Sequence, residues 1–377
     1  MIALPYIVLV LIMFIRHYIS NCTEIYKYSE KIFIYFVLGF FFCFRGFIFT
    51  DVFNYYAFFA YCPNLIKIFE THFLKTSFWE PGFACYCGLI KLFTDNWLIF
   101  QIIDSTIDLI LLYKALEYFD SNRAENIIVF LAMSGLIAFI DNIRNIKAIL
   151  LFFVSLRYIY EKKVFKYYIF CLIAISFHKS AFFYFFVYPL MNIKLTKKKF
   201  LLYGVISICF AICSRTVIQI VLNIVIQFLP KLFRVVLSSY ILEANSMSLG
   251  RIVTLGTIEK VLVFSLVYKN FDKLKIEEKG YLLVKIFLLY FLSYFIFFGF
   301  GEASNRVSML FVVSYWCIIP KIVKLQDKRY RSLYIVCVLA YCVLKMCLYK
   351  QPVQQYENFL FGASSIDARR LILKQYY

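Results

Sequence analysis

The chain has 377 residues, of which 63% are hydrophobic and 21% aromatic, and its mean hydropathy is +0.78. An apolar share this large excludes an ordinary soluble domain, and segments with the alternating pattern of membrane β-strands are absent. The net charge of +19 comes from Lys and Arg that lie between apolar runs, which fits basic membrane loops and excludes a nucleic-acid partner.

We therefore expect an all-α, polytopic transmembrane helical bundle, because lipid-embedded backbone is satisfied only in helices or closed barrels. About 10–13 membrane segments are predicted, some short or re-entrant, within a single integral membrane domain covering 1–377. The predicted crossings are Met1–Ile19, Ile32–Phe44, Leu98–Tyr113, Ile127–Ile140, Ala148–Tyr160, a long, broken one at Phe200–Leu229, Ile252–Tyr268, Tyr281–Gly299, Val307–Ile319 and Tyr334–Leu348.

The basic loops set the predicted topology, since cytoplasmic loops carry an excess of Lys and Arg. Four Lys-rich segments are assigned to the cytoplasm: Lys162–Lys166, Lys194–Lys199, Lys269–Lys279 and Lys321–Arg331. The N-terminus, a loop at 50–81, an extracytoplasmic segment at 231–251 and a polar, amphipathic tail from Tyr349 then lie outside. The first run lacks a preceding charge and a small-residue cleavage site, so we interpret it as a retained helix.

Two predicted segments are too short to cross. Gly82–Phe93 extends about 18 Å against a hydrocarbon core of about 30 Å, so we expect an interfacial helix that begins at Pro81, with Glu80 at its N-terminus. The short hairpin at 165–192 has arms of about 20 Å, and its turn at 178–180 is expected in the outer leaflet or in a cavity that opens there. Non-spanning backbone is tolerated where it lines a cavity or is buried in protein, which indicates a site.

This topology places ionisable residues from separate segments at one membrane face. They are Arg45, Asp51, Glu80, Asp141, Arg144, His178, Lys179, Glu302 and Arg306. Arginine binds phosphate through two parallel hydrogen bonds, and a histidine or a carboxylate can accept a proton from an attacking hydroxyl. The set suits a di-anionic phosphate group on a lipid. Polar groups at the edge of membrane segments are costly and are functional-site hypotheses by default.

Every candidate also has a structural interpretation. The alternatives are an interfacial ion pair for Arg144 with Asp141, a hairpin cap for His178, dipole stabilisation of the helix at Pro81 for Glu80, a salt bridge for Arg45 with Asp51, and anchoring for Arg306. Asp104 and Asp108 share a helix face and are expected to find partners within the bundle. The Phe and Tyr stripes are interpreted as lipid-facing packing or interfacial belts.

The cysteines carry little information. Most of the 12 lie in apolar runs, where a small buried hydrophobe is the expected role. No C-x-x-C occurs, and no metal site or cofactor is predicted. A disulfide from Cys62 to Cys85 or Cys87 stays open if that loop is extracytoplasmic.

Several short motifs, taken in order along nearly the whole chain, resemble the EpsG-like group of Wzy-type polysaccharide polymerases. They are Phe44-Arg45, Asp51 with Asn54-Tyr55, Glu80-Pro81-Gly82-Phe83, Asn142-Ile143-Arg144, Phe177-His178-Lys179-Ser180-Ala181, and Arg306 before a span that ends at Pro320. Asn145 departs from the pattern, because a glutamine is expected directly after the arginine.

The resemblance implies a GT-C-like, metal-independent membrane glycosyltransferase that polymerises a bacterial surface polysaccharide, chiefly O-antigen, with capsule or exopolysaccharide as alternatives. Its substrate would be an undecaprenyl-pyrophosphate-linked oligosaccharide, joined at the periplasmic face of the inner membrane, and membrane lipid and a chain-length regulator protein are the further partners implied. The catalytic candidates are His178, Arg144, Asp51 and Glu80. The residues expected to bind pyrophosphate or glycan are Arg45, Arg306, Asn142, Lys179 and Tyr55.

Two rival functions remain open. A flippase or transporter of lipid-linked sugars would also need basic groups in a membrane cavity, although it more often shows inverted repeats, and no internal repeat is visible. An O-antigen ligase would perform the same chemistry on a lipid A core acceptor. The three functions differ in their outcome: a polymerase lengthens the glycan, a flippase moves the lipid-linked unit without lengthening it, and a ligase transfers the glycan to the lipid A core.

Overall fold

The structure is a computed structural model that describes residues 2–20, 26–121, 123–228, 254–300 and 302–376. Over these ranges the chain forms helices joined by turns, and the β-type pairing found there is an isolated bridge between Arg45 and Asn358. The all-α prediction is confirmed for this part of the chain. The predicted extracytoplasmic segment 231–251 lies outside the described residues.

The described residues form two compact units. The first comprises Met1–Tyr188 and Asp327–Tyr377. Its helices are α1 (Leu4–Ser20), α2 (Tyr26–Cys43), α3 (Val52–Tyr61), α4 (Leu65–Glu70), α5 (Phe73–Thr76), α6 (Pro81–Ile90), α7 (Trp97–Tyr118), α8 (Ala124–Phe130), α9 (Leu136–Asp141), α10 (Ile143–Tyr160), α11 (Val164–Phe177), α19 (Lys328–Met346) and α20 (Ile366–Tyr376). Short 3₁₀ turns occupy Lys179–Phe186, Pro352–Gln354 and Phe359–Phe361, and a π turn at Leu131–Gly135 joins α8 to α9.

The second unit comprises Pro189–Gln326. A short helix, α12 (Val187–Met191), leads into it, and its helices are α13 (Lys197–Phe228), α14 (Leu255–Lys269), α15 (Phe271–Ile276), α16 (Glu278–Ile296), α17 (Glu302–Met309) and α18 (Val313–Lys324). Helix α16 packs against α13, α15, α17 and α18, and its aromatic face forms the centre of this unit. The prediction of a broken crossing at Phe200–Leu229 is wrong, because α13 is one continuous helix of 32 residues.

Two helical stretches of the described chain are long and apolar enough to cross a membrane, Ala124–Asp141 and Glu278–Ile296. Shorter apolar helices occur at Leu4–Ile19, Pro81–Ile90 and Val164–Phe177. The expectation that the helix after Glu80 is too short to cross is confirmed, since it covers 10 residues. The larger number of crossings stays a prediction.

Local sequence explains where the elements near the site begin. Pro81 occupies the first turn of α6, where a missing N–H costs nothing. Asn96 caps α7 by accepting hydrogen bonds from the backbone N–H groups of Leu98 and Ile99. Asn142 has φ −115° and ψ 52°, which interrupts the helical backbone and separates α9 from α10. That interruption sets where the first turn of α10, with Arg144, begins.

An aromatic cluster in the first unit supports these elements. It is built from α3, α6, the start of α7 and the first residue of α10. Phe59 and Phe100 lie 4.4 Å apart between ring centroids, and Phe58 stacks on Phe83 at 5.6 Å. Aromatic pairs at these separations add to the free energy of burial. The cluster therefore holds the segment at 50–81 against the long helices.

Candidate functional site

An open cavity of about 780 Å³ lies on the aromatic cluster. It is lined by Asp51, Asn54, Tyr55, Ala57, Phe58, Tyr61, Phe73, Thr76, Ser77, Phe78, Trp79 and Arg144. All but the last come from the segment at 50–81, and Arg144 enters from the first turn of α10. The volume is within the range of pockets that bind a small organic ligand. Three predicted site residues, Asp51, Tyr55 and Arg144, are brought together here.

Arg144 is held in this cavity from two sides. Its Nη1 forms an ion pair with Oε2 of Glu80, and its guanidinium lies 4.2 Å from the ring centroid of Trp79. The ring of Tyr55 is 5.9 Å away. The ion pair is partly buried, with 21% of the Arg144 side chain and 7% of the Glu80 side chain exposed. The guanidinium is thus fixed in one direction before any ligand binds, which is the preorganised arrangement that stabilises developing charge.

The ion pair considered between Arg144 and Asp141 is not formed, and dipole stabilisation of α6 by Glu80 stays a prediction. Arg144 pairs with Glu80, whereas the Asp141 carboxylate accepts hydrogen bonds from the backbone N–H groups of Thr50 at 3.0 Å and Asp51 at 2.6 Å. Glu80 precedes α6 but makes no side-chain cap. Asp141 instead fixes the start of the cavity segment, and so determines where Asp51 lies.

Glu80 also connects the cavity to the turn at 178–180. Its Oε1 accepts a long hydrogen bond, 3.4 Å, from the backbone N–H of Lys179. The Nζ of Lys179 lies 5.8 Å from the ring centroid of Phe78, and this lysine is exposed. His178 has extended backbone after α11, and its Nδ1 lies 2.6 Å from Oγ of Ser180. The predicted turn residues therefore adjoin the rim of the cavity, although His178 does not line it.

Close packing makes this connection possible. A Cβ at Gly82 would lie 2.7 Å from the carbonyl oxygen of Ser176, closer than real Cβ atoms approach. Glycine at this position therefore lets the N-terminal turn of α6 touch the C-terminal turn of α11. Glu80 and the turn after Phe177 meet because of that contact.

Tyr55 acts as a neutral hydrogen-bonding group. Burial raises the pKa of Tyr55 to about 12, and Arg144 acts in the opposite direction with a smaller effect. A phenol with this pKa keeps its proton throughout the physiological range. Tyr55 can therefore donate a hydrogen bond to a ligand, and it cannot serve as a base.

Arg45 lies in the interior and does not line the cavity. Its side chain is fully buried, and Nη1 donates to the carbonyl of Phe42 at 2.6 Å and to Oγ of Ser105 at 2.8 Å. Burial lowers the pKa of Arg45, and the carboxylates of Asp104 and Asp108 act in the opposite direction with a smaller effect. The sequence analysis grouped Arg45 with the substrate-binding residues, whereas its contacts are those of a residue inside the bundle.

A buried ionic triad lies one helical turn below Arg144. Nζ of Lys147 is 2.5 Å from Oδ1 of Asp104 and 3.1 Å from both carboxylate oxygens of Asp108. The three side chains are 2–3% exposed. The hydroxyl of Tyr86 donates to Oδ1 of Asp104 at 3.2 Å. The expectation that the two aspartates find partners in the bundle is confirmed, and the triad joins α7 to α10.

The C-terminal tail packs on the segment that precedes the cavity. The Gly46 N–H donates to the carbonyl of Glu357, and the Phe49 N–H to that of Val353, each at 2.8 Å. Arg369, 2% exposed, donates through Nε to the carbonyl of Phe47 at 2.8 Å. Its other nitrogens reach the carbonyls of residues 352, 353 and 355. The predicted polar tail is thus partly a packed element, which the sequence analysis missed.

The remaining candidates have separate positions. Asn142 forms the junction between α9 and α10, with a half-buried side chain. Arg306 is exposed on α17 in the second unit, and its role stays a prediction. Cys62, Cys85 and Cys87 are free thiols, so the disulfide considered from the sequence is not formed. Among the described residues, no group of three or more His, Cys, Asp or Glu could hold a metal ion.

Apart from Tyr55, the aromatic residues that line the cavity were not singled out from the sequence. Tyr61, Phe78 and Trp79 line it, although the Phe and Tyr stripes were interpreted as lipid-facing packing. A chain with 45 Phe and 31 Tyr gives little signal for any one of them. The adjacency of Trp79 to Glu80 is the one sequence feature that could have indicated a role.

Comparison with protein-family models gives a match to the EpsG family over residues 30–359. The matched range includes the cavity, the turn at 178–180, the buried triad and Arg306. No curated protein and no solved structure matches the chain.

Proposed function

Because this chain belongs to the EpsG family, we propose that it is a glycosyltransferase that polymerises repeat units of a bacterial surface polysaccharide, O-antigen in the first place. In this proposal the growing glycan is transferred from undecaprenyl pyrophosphate to the non-reducing end of another lipid-linked unit, at the periplasmic face of the inner membrane. Family membership and the apolar helical chain support a polysaccharide-polymerase-like membrane protein.

One observation carries the proposal furthest: a carboxylate, a fixed guanidinium and a wall of aromatic rings share one open cavity. Asp51 and Arg144 supply the charged groups. Transfer between sugars needs a group that accepts the proton of the attacking hydroxyl. It also needs donors for the oxygens that gain negative charge. Both kinds of group are present in this cavity.

The proposed step is a single displacement. The oxygen of the acceptor hydroxyl forms a bond to the anomeric carbon of the donor glycan, and the bond from that carbon to the diphosphate oxygen breaks. The electron pair leaves with the lipid diphosphate. Asp51 is the proposed base, because it is the carboxylate among the cavity-lining residues, and it takes the hydroxyl proton.

The departing diphosphate needs cations outside the Arg144–Glu80 pair, whose charges balance each other. Lys179, exposed at the rim beside Phe78, is the proposed ligand. Arg144 supplies hydrogen bonds to the reacting oxygens. His178 is proposed to fix the turn at 178–180 through its contact with Oγ of Ser180, so that the backbone N–H of Lys179 keeps its hydrogen bond to Glu80.

Reconstitution in liposomes tests the proposed function. The purified protein is supplied with one lipid-linked repeat unit, and the products are separated by size. Products of two or more units are expected from the natural chain, and none from Arg144→Ala. Movement of the unit across the bilayer without lengthening would indicate a flippase, and transfer to a lipid A core without lengthening would indicate a ligase. Either result would overturn the proposal.

A further inference from the structure

The cavity at 50–79 has a wall suited to sugar rings. Of its twelve lining residues, six are aromatic, namely Tyr55, Phe58, Tyr61, Phe73, Phe78 and Trp79. Aromatic faces carry a negative quadrupole, which attracts the C–H groups on the face of a pyranose. The hydroxyls at the edge of such a ring need donors and acceptors, and Asn54, Thr76 and Ser77 supply both around the same cavity.

Part of this wall is rigid and part is open to ligand. Trp79 stacks on Phe58 at 4.7 Å between centroids and on Phe83 at 5.6 Å, so its ring is fixed from behind. Tyr61 and Phe78 are 81% and 71% exposed. Large exposed aromatic side chains around a concavity mark a binding surface more often than packing. The exposed rings of Tyr61 and Phe78, beside the fixed Trp79, therefore form a stacking platform.

The charges of the cavity argue against diphosphate as its ligand. The charged lining residues are Asp51 and Arg144, and Arg144 is already paired with Glu80. Two carboxylates therefore face one guanidinium. A di-anionic group placed there would be repelled, whereas neutral hydroxyls would find both acceptors and donors. Lys179, whose Nζ lies 5.8 Å from the ring centroid of Phe78, offers positive charge at the rim.

We infer that this cavity is the acceptor-sugar subsite, which binds the non-reducing end of the acceptor glycan by stacking on Tyr61 and Phe78. The diphosphate of the donor then binds outside it, towards Lys179. This inference rests on the proposed function, since it assigns one of the two substrates to a place in that site. Asp51, in the same wall, meets the acceptor hydroxyl that attacks.

The test uses a lipid-free, phosphate-free oligosaccharide repeat unit as the probe, with farnesyl diphosphate for comparison. Binding to the full chain in detergent is followed by tryptophan fluorescence, and the KM of each substrate is measured in the elongation assay. Tyr61→Ala and Phe78→Ala are expected to weaken oligosaccharide binding and to raise the acceptor KM roughly fivefold or more. The donor KM stays unchanged. Phe93→Ala is the matched control, because Phe93 is 82% exposed and lies outside the cavity.

The outcomes separate the subsite from the function. Elongation with an unchanged acceptor KM in both variants would overturn the subsite and leave the polymerase standing. Oligosaccharide binding that both variants lose, in a chain that elongates nothing, would support the subsite and count against the polymerase. If farnesyl diphosphate displaces the oligosaccharide from the natural chain, the cavity binds diphosphate and the inference is wrong.

Discussion

Replacement of Lys147 by methionine tests how α10 is held beneath the site. The change removes the cation that binds Asp104 and Asp108, and both carboxylates are 2% exposed in the bundle. Breaking a buried ion pair from one side costs about 3–5 kcal/mol, because the remaining charge stays buried. At about 2 °C for each kcal/mol in a large domain, the midpoint of thermal unfolding should fall by about 6–10 °C.

A second variant separates lost charge balance from lost packing. Lys147→Met combined with Asp108→Asn leaves one buried positive charge, on Arg45, and one buried negative charge, on Asp104, so the net charge in the bundle is again zero. Most of the lost stability should return, since replacement of a buried ion pair by neutral groups is often tolerated. The assay is thermal unfolding of the purified chain in detergent.

Two results would refute the reasoning about Lys147. One is an unfolding midpoint that does not change in the single variant. The other is a double variant no more stable than the single one, because charge balance would then be irrelevant. Arg144 lies on the same face of α10 three residues earlier, so a shift of α10 away from α7 is expected to displace it. The single variant should therefore also lose activity, and the double variant should regain part of it.

Three further changes probe the surroundings of the site. Gly82→Ala places a Cβ 2.7 Å from a backbone oxygen of α11 and should lower the unfolding free energy by about 1–3 kcal/mol. Gly39→Ala is its control, because a Cβ there has nothing within 4 Å, and it should cost nothing in the same thermal assay. Arg369→Met removes four backbone hydrogen bonds and should speed hydrogen exchange of residues 46–49 and 352–358. Arg370→Met, at a half-buried residue that pairs with the side chain of Asp367, should not. Equal exchange in both variants would contradict the packed tail. The pKa of Tyr55 is about 12 in the folded chain and about 10 in the unfolded chain. The protonated phenol therefore stabilises the fold fully below about pH 10, and roughly 2–3 kcal/mol of unfolding free energy is lost as the pH rises to about 12. An alkaline stability profile of Tyr55→Phe should lack that loss, and an unchanged profile would argue against the shift.

Sequence patterns located the helices near the site because their signals are local. Pro81 begins α6 through a property of its own ring, and Asn142 interrupts the helix where a short polar side chain is common. Such features need no knowledge of distant residues. The short length of α6 followed from the same local pattern.

Ionic partners could not be predicted from the local sequence in the same way. Arg144 has Asp141 three residues before it, yet it pairs with Glu80, which is 64 residues away. The helix break at Asn142 turns the Asp141 carboxylate towards the backbone of 50–51. Proximity along the chain is a poor guide where the backbone direction changes.

The lysine of the triad and the packing of the tail were missed for related reasons. Lys147 follows the arginine motif, and only the packing of α7 on α10 shows that it serves Asp104 and Asp108. Arg369 binds backbone carbonyls, and carbonyls carry no residue-specific signal. The tail that the sequence predicts to be polar is therefore partly a packed element in the structure.

The account depends most on Arg144, and the most direct measurement is the chain-length distribution of surface polysaccharide from a deletion strain that expresses a single variant. The natural chain should restore a ladder of long products. Arg144→Ala should leave one repeat unit, a loss of at least about 100-fold in polymer, and Arg144→Lys should restore only short chains, because an ammonium lacks the planar fork. A full ladder from Arg144→Ala, with normal protein in the membrane, would contradict the account.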